Sequence, residues 1–278
     1  MRKNIILNLK KSRILLGLFV ILIFCMGMMW DKPKRSIKFL LPVPPNQYIT
    51  SINMDDLQKQ IIPEYGIKYL EDLSIWGRRL RFSNPTTQSD WVEITVAVYT
   101  SLDQVLESAS YYLSDISAIL SYGTKSGKSI GNISLYSPSG ISKGLLFIRN
   151  NVLVDISSKS QEESERIAAE IDRLLLKGGK GVTLSNDPPK PLYRSIDVPS
   201  EIKTGKQVPI IVHPFDTKGK EIKFGMYNKN WNENPISRGN NNERIYKANK
   251  AGNDSFLIWV YNDDNVFSFE EKEIKVIP

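Results

Sequence analysis

The sequence predicts an α+β domain, an antiparallel sheet with two main helices, followed by an all-β sandwich, with one N-terminal transmembrane helix ahead of both. Three observations predict this. Residues Ile14–Trp30 form an uncharged apolar run. Residues 91–99 alternate apolar and polar positions, and two segments of helical period with capping residues lie further along the same stretch. Beyond residue 191 helical periodicity stops, and short β-prone runs alternate with clusters of Gly, Asn and Asp.

The 278 residues carry 37 Lys and Arg against 30 Asp and Glu, a formal +7. Five of those bases (Arg2, Lys3, Lys10, Lys11 and Arg13) precede the apolar run with no acid among them, so the remaining 32 face 30 acids. The excess is therefore a topology signal, and no nucleic-acid partner is expected of a remainder at only +2. Seventeen helical residues span roughly 26 Å, the short end of what crosses a bilayer. Residues 1–13 read as a cytoplasmic basic tail and 14–30 as the anchor in the inner membrane, with 31–278 outside the cytoplasm. Three fates fit the segment. A cleaved signal lacks a small-residue cleavage pair in Met26–Trp30. Lipidation at Cys25 has Leu22 at the motif position but Phe24 where a small residue belongs. An uncleaved anchor needs neither and is favoured, with Cys25 as a small lipid-facing residue.

Residues 31–47 hold Pro33, Pro42, Pro44 and Pro45 and read as an extended tether. The α+β domain is placed at 48–177. In Trp91–Tyr99, Val92, Ile94, Val96 and Val98 share one strand face. Ser101 and Gln104 are spaced as a reciprocal capping box, and Val105, Ala109, Tyr112, Leu113, Ile116 and Leu120 follow at helical spacing. Ile130–Tyr136 reads as a strand, and Gly144–Ile148 with Val152–Ser157 as a hairpin around Asn150–Asn151. Ser160 and Glu163 open a second helix that Gly178 and Gly179 close. The Gly/Pro-rich stretch 178–191 reads as a linker.

Residues 192–278 carry expected strands at Val208–Val212, Ile222–Met226, Arg244–Ala248, Phe256–Tyr261 and Phe267–Ile277. The runs Gly205–Val212, Asp216–Gly219, Tyr246–Gly252 and Phe256–Tyr261 resemble a bacterial immunoglobulin-like domain of the PKD or cadherin-like type, over about 80 residues. The usual acid and glycine after the penultimate strand stand here as Asn262–Asn265, without the glycine. The resemblance implies a β-sandwich used as a spacer, adhesion or docking module.

Catalytic chemistry finds little support. One Cys and one His exclude cysteine-cluster and multi-histidine metal sites, and no cofactor is expected. Gly123–Ser129 imitates a phosphate-binding loop but has three residues between its glycines where four are needed, and it follows a helix, so no nucleotide is expected. Ser200–Lys203 and Lys203–Gly205 imitate two penicillin-binding motifs but share one lysine in an expected turn. His213 has no nucleophile elbow to serve. Asp216, Asp263 and Asp264 are weak candidates for calcium at one end of the sandwich. Trp76 with Arg78, Arg79 and Arg81, and separately Trp231, are candidates for contact with a ligand or partner, against ordinary packing of the tryptophans and a solvated strand face. The expected function is a non-enzymatic, single-pass binding or structural protein of the bacterial envelope that contacts a protein partner or cell-wall polysaccharide. The alternative is an extracytoplasmic, carboxylate-dependent hydrolase acting on glycans.

Overall fold

The computed structural model describes residues 46–278 apart from 68–71, 75, 88, 116–119, 139–142, 216–220, 229, 231 and 241. The expected anchor, Cys25, Asp216 and Trp231 lie outside the described residues. No helix among the described residues is long and apolar enough to cross a membrane. Those residues are mostly β, with three helices and several sheets.

β1 (Tyr48–Ile52) leads into α1 (Met54–Ile61), which Asn53 caps by accepting from the Asp56 amide at 3.0 Å. β2 (Gly66–Ile67) and β3 (Asp72–Ser74) both pair with β4 (Gly77–Ser83), itself antiparallel to β5 (Trp91–Tyr99). α2 (Leu102–Asp115) begins where the Ser101 hydroxyl accepts from the Gln104 amide. Only half of the expected capping box forms, because the Gln104 side chain turns to the Thr100 hydroxyl and the Phe269 carbonyl. β6 (Ser121–Tyr122), β7 (Ile133–Tyr136), β8 (Gly144–Arg149) and β9 (Val152–Ser158) extend the sheet beyond β5 in the order β9-β8-β7-β6. Asn150 takes φ 52° at the β8–β9 turn. α3 (Gln161–Lys177) has Ser160 as its N-cap and Gly178, at φ 67°, as its left-handed C-cap. β10 (Val182–Ser185), within the stretch expected as linker, pairs antiparallel with β1.

The two main helices take opposite faces of the sheet. Ile167, Ala168, Ile171 and Leu174 of α3 share a core with Val92, Ile94, Val96 and Val98. Ala97, Tyr99 and Leu153 on the other face are buried with Val105, Ala109 and Leu113 of α2. Burying both faces of β5 explains why its last residues lose the polar half of their alternation.

β11 (Tyr193–Asp197), β13 (Gln207–Pro214), β16 (Glu243–Lys247) and β15 (Ile236–Arg238) form one sheet in that order. Facing it are β12 (Glu201–Lys203), β18 (Val266–Ile277), β17 (Gly252–Asn262) and β14 (Ile222–Asn228), with β12 parallel to the end of β18. This order is consistent with an immunoglobulin-like sandwich. β12 replaces the turn expected at Ser200–Lys203; its three residues expose, bury and expose in sequence, too short a period to stand out.

β18 also joins the halves. Val266 and Phe267 pair in parallel with Val98 and Tyr99 of β5, making one 12-stranded sheet. The Asn262–Asn265 turn lies against β1: Ile52 donates to the Asp264 carbonyl at 2.9 Å, and Asn265 Nδ2 donates to the Ile52 carbonyl at 2.7 Å. Asn151, fully buried, holds the other end of β1, accepting from Ile49 N at 2.9 Å and donating to the carbonyls of Ile49 and Tyr99. Asn151→Ala strands three buried backbone groups and is expected to cost about 2–4 kcal/mol. Urea unfolding checks this, and a loss below about 0.5 kcal/mol refutes the staple.

Candidate functional site

β4, β5 and β9 bring a row of polar side chains onto the face that α2 covers only in part. Register aligns Arg79 with Thr95 and Thr95 with Asp155, then Arg81 with Glu93 and Glu93 with Ser157. Cross-strand neighbours on one face stand about 4.5–5.5 Å apart at Cβ, so these side chains form one strip. Its inner end is closed. Tyr112 of α2 donates to Asp155 Oδ2 at 2.5 Å, and its ring meets Trp76 edge-on at 5.4 Å. Its outer end is half-open. Arg81 pairs with Glu93 at 3.4 Å, with 36% and 26% of their side chains exposed, and its guanidinium lies 4.9 Å above the Trp91 ring.

Burial pushes the Asp155 carboxyl above the usual carboxylate range, with nearby Glu93 adding to the shift; the Tyr112 hydroxyl and the Arg79 charge oppose it without cancelling it. Burial, and then the Asp155 charge, drive the Tyr112 hydroxyl far above its ordinary value. The strip therefore holds a proton donor and an acceptor in a short, dry contact beside a solvated ion pair. The arginine row expected on a strand does lie on β4, yet each member has an internal engagement. Arg78 donates to the Asp263 carbonyl at 3.3 Å, Arg79 acts on Asp155 and Tyr112, and Arg81 holds Glu93 and Trp91.

Asp263 and Asp264, the described calcium candidates, sit in the β17–β18 turn and not in this strip. Asp263 faces the Lys223 ammonium at 3.6 Å, and the Asp264 carbonyl serves β1. Among the described residues no three His, Cys, Asp or Glu side chains gather to hold a metal. Buried Asp254 accepts from the side chains of Asn228, Asn230, Asn234 and Tyr246. In Gly123–Ser129 the Lys125 and Ser126 amides are turned to an anion, but that anion is Glu165, at 2.7 and 3.2 Å. Burial works to raise the Glu165 carboxyl, and these bonds outweigh it and hold it below the usual range. His213 Nε2 meets Asp197 at 2.7 Å on an exposed sheet face.

Sequence reasoning missed Glu93, Tyr112 and Asp155 as members of one site. Asp155 carried a signal, as the lone acid in an otherwise apolar hairpin strand, but its partners come from cross-strand register and from a helix that looked purely apolar.

No protein-family model matches the chain, and no curated protein matches it. Among solved structures, domains 4 and 5 of the S-layer protein SbsC are similar at TM-score 0.23 and 12% identity, over 57% of this chain and 77% of that one. A chimeric titin Z1Z2 is similar at TM-score 0.20 and 11% identity, over 51% and 76%. A polysaccharide lyase is similar at TM-score 0.21 and 12% identity, over 84% of this chain and 28% of its own. Likeness at this level identifies neither fold nor activity.

Because native Asp155 holds its proton more tightly than the unfolded chain does, stability falls as pH rises from about 4 toward the raised value. Asp155→Asn is expected to flatten that fall and to cost nothing at pH 7. Denaturation across pH 4–8 checks it (about the range between ordinary carboxylate and neutral). An unchanged slope means the carboxylate is already ionised and accommodated.

Proposed function

We propose that the chain is a membrane-anchored, extracytoplasmic binding or structural protein of a bacterial envelope, built from an α+β domain and an immunoglobulin-like sandwich. The reading is non-enzymatic, and its ligand is cell-wall polysaccharide or an envelope protein. The anchor rests on the charge-free run Ile14–Trp30 and the five bases ahead of it. The observation that supports binding is the half-open end of the strip, where the Trp91 ring, the Arg81 guanidinium and the Glu93 carboxylate stand together on strands. A ring offers an apolar face to sugar C–H groups, and planar charged groups take pairs of hydroxyls. Rigid strands hold these groups without the ordering cost a loop incurs.

A second reading, hydrolysis of glycans, draws on Asp155 and Glu93. They are diagonal neighbours on adjacent strands, roughly 7–8 Å apart by sheet geometry, inside the range used by paired carboxylates. A carboxyl whose proton affinity is raised suits a general acid. Against it, both acids are engaged, Asp155 by Tyr112 and Glu93 by Arg81.

The test uses full-length protein in detergent with isolated cell-wall polysaccharide. Binding is expected, and Trp91→Ala is expected to weaken it by about tenfold or more. Absence of binding, or a Trp91→Ala protein that binds equally, overturns the assignment to this strip. Release of reducing ends that Glu93→Gln abolishes favours the hydrolase instead.

A further inference from the structure

A second charged feature lies in the sandwich, away from the Trp91 strip. β14 and β15 each end their own sheet, and Arg244 of β16 bridges the two on that flank. Its guanidinium lies 4.1 Å over the Phe224 ring and donates at 2.9 Å to the Phe224 carbonyl of β14 and at 2.9 Å to the Glu243 carbonyl. Directly across the ladder from Arg244 stands Arg238 of β15, exposed at the rim. Like charges opposite one another on neighbouring strands destabilise a sheet, and natural pairs normally avoid it.

No acid among the described residues relieves the pair. Among the described residues no carboxylate bonds to Arg238 or Arg244. The nearest acid in sequence, Glu243, alternates to the other face of the sheet and accepts from the Asn240 amide at 3.2 Å. A guanidinium has five N–H donors, and Arg244 spends two on carbonyls. Half-buried as it is, it keeps spare donors across the ladder from a second, exposed cation. Burial, and then the charge of Arg238, lower the affinity of Arg244 for its proton.

We infer that Arg238 and Arg244 form a binding site for an oxyanion at the open flank of the sandwich. Two planar forks across one ladder step suit a phosphate or carboxylate, whose oxygens accept paired N–H bonds. Phe224 fixes one fork from below, and Arg238 closes on the ligand from the solvent side. An envelope polymer presents such groups either as phosphodiesters or as uronic acids, and the shared chemistry is the oxyanion. A different role exists for inward-pointing charges at sheet edges, which is to deter edge-to-edge pairing. That role predicts association of the variant and no response to anions.

The experiment titrates full-length protein in detergent with inorganic phosphate and, separately, with glucuronate, following heat of binding and melting temperature. Wild type is expected to bind and to melt higher with at least one of them. Whichever binds tighter identifies the source, a phosphodiester or a uronic acid. Arg238→Gln is expected to lose affinity by about tenfold or more, yet to melt at the same temperature or higher without added anion, since the repulsion is gone. Arg244→Lys keeps the charge and loses the fork, and is expected to weaken binding as well. The site is refuted if neither anion shifts wild type, if wild type and Arg238→Gln respond equally, or if Arg238→Gln is less stable or self-associates. Polysaccharide binding that depends on Trp91 is unaffected by such a failure, so the two readings fall separately.

Discussion

One edge of β5 has to be paired along its whole length, and that requirement ties the two halves of the molecule together. A buried strand cannot leave main-chain groups unpaired. β4 serves this edge from Trp91 to Val96 and then turns away at Gly77. Gly77 has φ 143°, and a Cβ there would stand 2.7 Å from the Val96 carbonyl oxygen, so the departure depends on glycine. β18 takes over within two residues, and the Val98 amide finds the Asn265 carbonyl at 2.8 Å. The sheet thus passes from one half to the other without an unpaired gap. Its closure needs contact between segments more than 160 residues apart, a pairing that carries a high loop-closure cost.

The second recurring device is the phenol–carboxylate pair. Tyr65 donates to Glu163, Tyr111 to Glu271, Tyr112 to Asp155, Tyr193 to Glu270 and Tyr246 to Asp254. Four join elements distant in sequence, Tyr246–Asp254 links successive strands of different sheets, and α2 is held by two of the five. Burial, and then the acid, raise the Tyr65 and Tyr111 hydroxyls to about 12. A neutral donor satisfies a half-buried acid without bringing in a second charge to desolvate. Among the described residues Glu163, Asp155 and Asp254 show no ion pair to a cation, while Glu270 also pairs with Lys272. In a folded part whose bases barely outnumber its acids, some arginines go without carboxylates, and Arg238 and Arg244 are such a pair.

What could be read in the sequence is what depends on local pattern. The caps of α3, the alternation of β5, the Asn150 turn and the five longer strands of the sandwich are written in neighbouring residues. What escaped depends on partners far away. β1 and β10 are short and stabilise each other across at least 130 residues, so neither has a local signature. Asn150 and Asn151 look alike in sequence, yet one supplies the left-handed turn and the other is the buried staple of β1. Both capping boxes are half-formed for the same reason. The third residue of each uses its side chain elsewhere, Gln104 on the Phe269 carbonyl and Glu163 on Tyr65. The candidate site follows this rule: β4 could be recognised as an arginine strand, but the acids that engage it are set by register.

The position of β1 also decides how the ordered part is held. Ile49 and Ile52 are fully buried, and the strand is bonded to the β8–β9 turn at one end and the β17–β18 turn at the other. Whatever precedes Asn46 is therefore attached at the seam between the two halves and not at either extremity. Pulling on that segment loads Asn151, Asn265 and the β1–β10 ladder together. Because those bonds share the core beneath α1 and α3, β1 cannot peel away without exposing Ile49 and Ile52 and breaking its bonds to Asn151 and Asn265. The same residues that complete the sheet thus make its attachment point part of the core.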